Sequence, residues 1–117
     1  MLVTHKNIRI QFEVDGRHFE AVGFLNDGER SVTGDDMLER AARENGGAID
    51  DEDETFLSER RAQIPKELQR YGLVTNRRNP RFPRDVVCFG FDGDGWYEYW
   101  DFLGSQWYAF GLVLRRC

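Results

Sequence analysis

The chain has few of the residues that usually build metal, redox or nucleophilic sites. Its 117 residues include only two cysteines, two histidines and three prolines. Cys88 and Cys117 match no metal-binding or redox spacing, and the histidines are too dispersed to complete a zinc site. The chain also contains no P-loop, Gly-x-Ser-x-Gly or Gly-x-Gly-x-x-Gly motif. We therefore expect no cofactor and no enzymatic activity, with Cys88 serving as a small core residue.

Long apolar runs are missing as well. No segment approaches the roughly 20 apolar residues that a membrane-spanning helix needs. The first ten residues lack the apolar core of a signal peptide, because His5, Lys6, Asn7 and Arg9 interrupt them. These observations predict a cytoplasmic protein. The net charge of −5 at pH 7 argues against a general nucleic-acid binder, whose affinity depends on lysine and arginine, and against binding to an anionic membrane.

Turn and helix signals predict a single α+β domain over residues 1–117, with an antiparallel sheet. Asp15-Gly16 is a two-residue turn between alternating runs, so residues 7–25 should form an N-terminal hairpin in which Phe12 faces Phe19. Thr33 is the expected N-cap of a first helix. Two or three short helices should lie between the hairpin and the later strands, over residues 34–44, within residues 50–62, and over residues 65–70.

The later strands should end in a C-terminal hairpin. We predict strands over residues 73–75, 86–91, 96–102 and 106–114. Gly104-Ser105 would be the turn that joins the last two strands, so that Phe102 opposes Trp107. The earlier Asp92-Gly93-Asp94-Gly95 segment is a hairpin turn rather than a calcium loop, because the EF-hand pattern requires a glutamate at its twelfth position.

Aromatic residues are concentrated between residues 86 and 115, a stretch that holds all three tryptophans. Alternation with period two divides them into two apolar faces, one of them rich in tyrosine. A sheet with one face in water should show polar alternation, so both faces should be covered. The helices can cover one face, and the N-terminal hairpin can cover part of the other if it packs across the sheet. A protein partner, a second copy or a ligand can cover the rest, unless all these rings belong to the core.

The tyrosine-rich face is the predicted binding site, because tyrosine combines apolar area with a polar tip. We expect a non-enzymatic protein-interaction module or homo-oligomer, in which two or three buried rings anchor the interface. The predicted contact residues are Tyr97, Tyr99, Tyr108 and Phe110.

Two charged segments support alternative functions. A loop over residues 76–85 carries four arginines and a phenylalanine, which suit phosphate contacts and base stacking in a nucleic-acid or anion site. The other interpretation is a surface loop whose arginines pair with the protein's own carboxylates. The acidic run from Asp50 to Glu54 suits a cation site or a nucleic-acid mimic that inhibits a nucleic-acid enzyme. The other interpretation is a solvated helix start favoured by the helix dipole. The residues of the proposed loop site are Arg77, Arg78, Arg81, Phe82 and Arg84.

Three segments resemble a loose group of small bacterial proteins without assigned function. The resemblance covers most of the chain and implies a bacterial or phage origin. It implies no activity and no catalytic or binding residue. The segments are Val32-Thr33-Gly34-Asp35-Asp36-Met37, Ile64-Pro65-Lys66-Glu67-Leu68 and Trp96-Tyr97-x-Tyr99-Trp100-x-x-Leu103-Gly104.

Overall fold

The computed structural model describes residues 8–44 and 46–117. They form an α+β fold with a mostly antiparallel six-stranded sheet, two α-helices and a separate two-stranded ribbon. The predicted fold class is confirmed at this level. The signal-peptide argument on residues 1–7 and the helix stop at Asn45 lie outside the described residues. The elements are β1 (Arg9–Val14), β2 (Arg17–Val22), β3 (Ser31–Thr33), α1 (Gly34–Ala42), α2 (Asp51–Glu59), β4 (Gly72–Arg78), β5 (Asp85–Phe91), β6 (Trp96–Phe102), β7 (Gln106–Tyr108) and β8 (Gly111–Arg116), with 3₁₀ turns at Arg61–Gln63 and Lys66–Leu68.

The N-terminal hairpin forms in the predicted register. Phe12 lies opposite Phe19, and their rings stack with centroids 5.7 Å apart. Asp15 and Gly16 both have positive φ, 44° and 84°, which is what the tightest two-residue hairpin turn requires. The hairpin extends the main sheet, because β2 pairs with β8. The expectation that it might pack across the sheet is therefore wrong.

Helix α1 begins as predicted. The Thr33 hydroxyl accepts a hydrogen bond from the Asp36 amide at 3.2 Å, so one of the free N–H groups at the helix start is satisfied. Helix α2 begins inside the acidic run, as expected, and its N-cap Asp50 makes no side-chain capping bond. The segment predicted as a third helix contains a single 3₁₀ turn after Pro65.

The C-terminal strands differ from the prediction. Residues 106–114 do not form one strand opposite β6. Instead β7 pairs with β3, placing Tyr108 opposite Ser31. Strand β8 lies between β2 and β4 and is parallel to β4, so the sheet order is β1-β2-β8-β4-β5-β6. The physical reason is that β8 is buried on both faces, and such a continuous apolar run is best satisfied at the centre of a sheet.

Each face of the main sheet carries a hydrophobic core, and a different helix packs on each face. On one face, Leu57 of α2 and Ile64 and Leu68 of the 3₁₀ segments join a core that includes Phe89 and Leu114. On the other face, a second core joins α1 and the β3–β7 ribbon to the sheet. We call these the α2 face and the α1 face. The second core contains Val22, Val32, Met37, Ala41, Val74, Cys88, Trp107 and Val113.

A salt bridge anchors the loop before β3 to α1. Arg40 donates to both carboxylate oxygens of Glu29, at 2.6 and 2.8 Å, and to the Phe24 carbonyl at 2.8 Å. The Arg40 hydrogen bonds, with a further one from the Asn26 amide, lower the pKa of Glu29 from its ordinary 4.5 to about 2. A lowered pKa in the folded state means that ionised Glu29 stabilises the fold.

The Glu29→Gln variant is expected to lose about 1 kcal/mol of unfolding free energy at pH 7, a modest value because the pair is partly exposed. The stabilisation is complete above pH 4.5 and is lost as the pH falls towards 2, since Glu29 protonates over that range. Urea denaturation at pH 7, 4 and 2.5 should therefore show the difference between parent and variant shrinking. Glu39→Gln is the control, because Glu39 pairs with Arg43 on the exposed side of α1. A difference that does not change with pH would contradict this account.

Candidate protein-interaction surface

The four predicted contact residues come together on the α1 face. Tyr97 and Tyr99 lie on β6, Tyr108 ends β7, and Phe110 lies in the turn before β8. Tyr97, Tyr108 and Phe110 are exposed, Phe110 to 61%, while Tyr99 is half-buried. We call these four residues the aromatic surface.

Glycines in the neighbouring strands make room for the two β6 tyrosines. A Cβ atom on Gly90 would lie 2.9 Å from the ring of Tyr97, and one on Gly72 would lie 2.8 Å from the hydroxyl of Tyr99. Any larger residue would push these side chains off the sheet. Gly72 and Gly90 are positioning residues that the sequence-based prediction missed. Glycine inside a strand pattern was the available signal, since it often marks close approach of another group.

A shallow cavity connects the two aromatic pairs. The ring centroids of Tyr97 and Tyr99 are 5.7 Å apart, and those of Tyr108 and Phe110 are 6.3 Å apart. Tyr99, Tyr108 and Phe110 all line a cavity of about 80 Å³. The four rings therefore form one surface, with a recess that a partner's side chain can enter.

The hydroxyl group of Tyr99 is uncharged at neutral pH. Burial raises the pKa of Tyr99, and its neighbours Cys88 and Asp101 raise it further. Burial is also the main cause that raises the pKa of the Cys88 thiol. Cys88 is a buried core residue, as predicted, and is not a poised nucleophile. The surface thus presents apolar rings and hydroxyl groups.

The strand that carries Tyr97 and Tyr99 is the last in the sheet. Within residues 8–44 and 46–117, no strand pairs with the outer edge of β6. The Leu103 amide donates to Arg84 on the inner side at 2.8 Å, so by alternation the backbone groups of Glu98 and Trp100 face outwards. An edge with unpaired N–H and C=O groups is a place where another chain can add.

The segment predicted as a loop over residues 76–85, which we call the arginine loop, has some of its arginines paired within the protein. Arg77 pairs with Glu54 at 2.6 Å, and Arg84 pairs with Asp35 at 2.6 Å. The interpretation that the loop arginines pair with the protein's own carboxylates is therefore confirmed for these two.

The other loop residues predicted as a nucleic-acid or anion site are Arg78, Arg81 and Phe82. All three are exposed, although Arg78 donates to the Pro83 carbonyl at 2.9 Å. The structure does not bring the five predicted residues together as one free cluster. Nucleic-acid binding by the loop stays a prediction.

The acidic run is not a uniformly solvated segment, and that interpretation is wrong for two of its members. Asp53 and Glu54 are buried. Asp53 accepts hydrogen bonds from Arg17 at 2.8 Å and Arg116 at 3.0 Å. The reason is that the first turn of α2 packs against the sheet, where arginines of β2, β4 and β8 reach it. A nucleic-acid-mimic function stays a prediction that only the exposed carboxylates could support.

Three further observations concern the described residues. No group of three or more histidine, cysteine, aspartate or glutamate side chains there is placed to hold a metal ion. His18 and Glu13 form a 4.0 Å contact on the surface of the N-terminal hairpin. Among the helices in the described ranges, none is long and apolar enough to cross a membrane.

No protein-family model, no curated protein and no solved structure gives a significant match to this chain. The resemblance to small bacterial proteins, with the origin it implies, therefore stays a prediction. Any functional conclusion depends on the geometry of the chain itself.

Proposed function

We propose that this protein is a non-enzymatic protein-interaction module that acts through the aromatic surface. The observation that carries the proposal is the exposure of Tyr108 and Phe110 beside a recess that Tyr99 also lines, with exposed Tyr97 next to Tyr99. Contiguous exposed aromatic groups on a folded domain mark interaction sites, and tyrosine is enriched among the residues that dominate binding energy.

The chemistry of the surface indicates the partner. Hydroxyl groups at the rims of apolar rings favour a protein surface with apolar side chains and a few hydrogen-bond acceptors. A second copy of this chain meets that description, because its own aromatic surface supplies both. The adjacent free edge of β6 gives a second contact for an extended segment of the partner.

Self-association is the first test. Light scattering and sedimentation, over a protein concentration range up to about 1 mM, should show a reversible dimer. Replacing Tyr97 or Phe110 with serine should weaken the dimer about tenfold or more, because each removes an aromatic anchor. Phe82→Ser is the matched control, since Phe82 is as exposed as Phe110 but lies on the arginine loop.

A second experiment tests for a partner other than a second copy of this chain. A photo-reactive group introduced at Tyr108 should cross-link a partner in cell extract, and the Phe110→Ser change should abolish that product. The same group at Phe82 should not capture it. A parent that stays monomeric, together with no product that depends on Phe110, would overturn the proposal.

A further inference from the structure

A second concave site lies on the α2 face, on the opposite side of the sheet from the aromatic surface. It is a cavity of about 670 Å³ between α2, the end of β4 and the edge strand β6. Its size is within the range of small-ligand sites. We call it the α2 cavity. The lining residues that matter here are Glu54, Ser58, Arg77, Glu98 and Trp100.

Glu54 brings an incompletely satisfied carboxylate to this cavity. Its side chain is only 1% exposed. One oxygen, Oε1, accepts a hydrogen bond from Arg77 Nη1 at 2.6 Å. The other, Oε2, is buried without a hydrogen-bond partner among the described residues. Buried polar atoms are nearly always paired, so this wall of the cavity carries a buried negative charge that lacks one hydrogen bond.

The charge around the cavity favours a cation. Carboxylates outnumber guanidinium groups among the residues that line it. Ser58 Oγ donates to Glu98 Oε1 at 2.8 Å, which fixes that carboxylate at the wall and leaves its charge uncompensated by an arginine. The charged lining residues are Asp51, Glu54, Glu59 and Glu98 against Arg77 and Arg78.

Trp100 supplies the aromatic wall. It is a large ring on the edge strand, exposed to 46%. Tryptophan is the best aromatic partner for a cation. A guanidinium group is planar, so it can stack on the indole while its N–H groups point to carboxylates in the same plane.

We propose that the α2 cavity binds a guanidinium group, which stacks on Trp100 beside the carboxylates of Glu54 and Glu98. The group belongs either to an arginine side chain of another protein or to a small free guanidinium compound. The rings of the aromatic surface lie on the other face of the sheet, although Tyr99 also borders the α2 cavity. Guanidinium binding does not depend on the function proposed for that surface.

Binding can be measured by NMR titration of the Trp100 indole N–H with three probes. They are agmatine, the peptide acetyl-Gly-Arg-Gly-amide, and the same peptide with citrulline in place of arginine. Citrulline keeps the shape but carries no charge. We expect saturable binding of at least one cationic probe below about 20 mM and no binding of the citrulline peptide. Tighter binding of the arginine peptide indicates a protein ligand, and equal or tighter binding of agmatine indicates a small molecule.

Calorimetric titration of variants tests the contacts. Trp100→Ala should weaken binding of the cationic probe about 3- to 30-fold, the range expected for a lost cation–π contact. Phe102→Ala is the matched control, because Phe102 is exposed on the same strand and face but does not line the cavity. Both positions are on the surface, so both variants should fold. No binding of either cation, equal binding of the citrulline peptide, or an unchanged affinity in Trp100→Ala would overturn the proposal.

Discussion

Replacing Arg77 with alanine is expected to lower the free energy of unfolding by about 3 kcal/mol. Arg77 is the ion-pair partner of Glu54, whose side chain is 1% exposed. Without it, Glu54 remains a buried carboxylate with no cation, which is among the most costly changes in a folded protein. The value is at the low end of the range for buried pairs, because the Arg77 side chain is itself 39% exposed. Urea denaturation followed by circular dichroism measures it.

Two variants distinguish this role from a nucleic-acid role for the same arginine. Arg81→Ala, an exposed position on the same loop, should change the unfolding free energy by less than about 0.5 kcal/mol. The double variant Arg77→Met, Glu54→Leu should recover most of the stability, because apolar residues of similar volume can replace a buried ion pair. An Arg77→Ala protein as stable as its parent would show that Glu54 is satisfied in another way.

Replacing Gly34 with alanine is expected to destabilise the fold by about 2 kcal/mol. Helix propensity alone predicts the opposite sign, because alanine is favoured over glycine in a helix by about 1 kcal/mol. A Cβ atom on Gly34, however, would lie 2.6–2.8 Å from three atoms of the Trp107 indole. Trp107 is buried in the core under α1, so its ring cannot move away without disturbing its neighbours. Thermal and urea unfolding of the variant measure the sign.

Gly104→Ala is the matched control for the steric argument. A Cβ atom there would approach the ring of Phe102 to 2.5 Å, which is as close as the contact at Gly34. Phe102 is exposed, so its ring can rotate into solvent, and the change in stability should stay below about 0.5 kcal/mol. If both alanine variants lose the same stability, burial of the opposing ring is not the deciding factor.

Local features of the fold were predictable from the sequence. The register of Phe12 with Phe19 follows from the Asp15-Gly16 turn, and the start of α1 follows from the hydroxyl of Thr33. Each depends on residues close together in the chain, where side-chain and backbone preferences act directly. Alternation on β5 and β6 was also predicted, because a strand keeps its two faces whichever strand it pairs with.

Strand pairing at the C-terminal end was not predictable from local sequence signals. Residues 104–105 turn the chain, but the strand that follows pairs with β3, more than 70 residues earlier in the sequence. β8 then lies parallel to β4. Several pairings satisfy the same local turn signal, and the one that forms is set by which arrangement buries the apolar run of β8 on both faces.

The candidate site likewise has parts that the sequence predicted and parts that it did not. Its four rings were identified from the sequence because tyrosine and phenylalanine are conspicuous residues in a strand pattern. The two glycines over which Tyr99 and Tyr97 lie, Gly72 and Gly90, were not identified from the sequence. The residue that lies over a glycine in a sheet depends on strand order, which the sequence does not reveal directly. The pairing of Glu54 with Arg77 was also missed, because it depends on how α2 packs on the sheet.

By itself, the sequence determined the α+β class, the N-terminal hairpin, the start of α1 and the two apolar faces of the aromatic strands. Those outcomes depend on forces that act within a few residues, or on a period that every strand shares. Only the tertiary structure decided that the helices cover opposite faces, that β6 is an edge strand, and that Glu54 is buried against a cavity. These depend on contacts between distant segments, where burial of the whole chain outweighs the preferences of any one part.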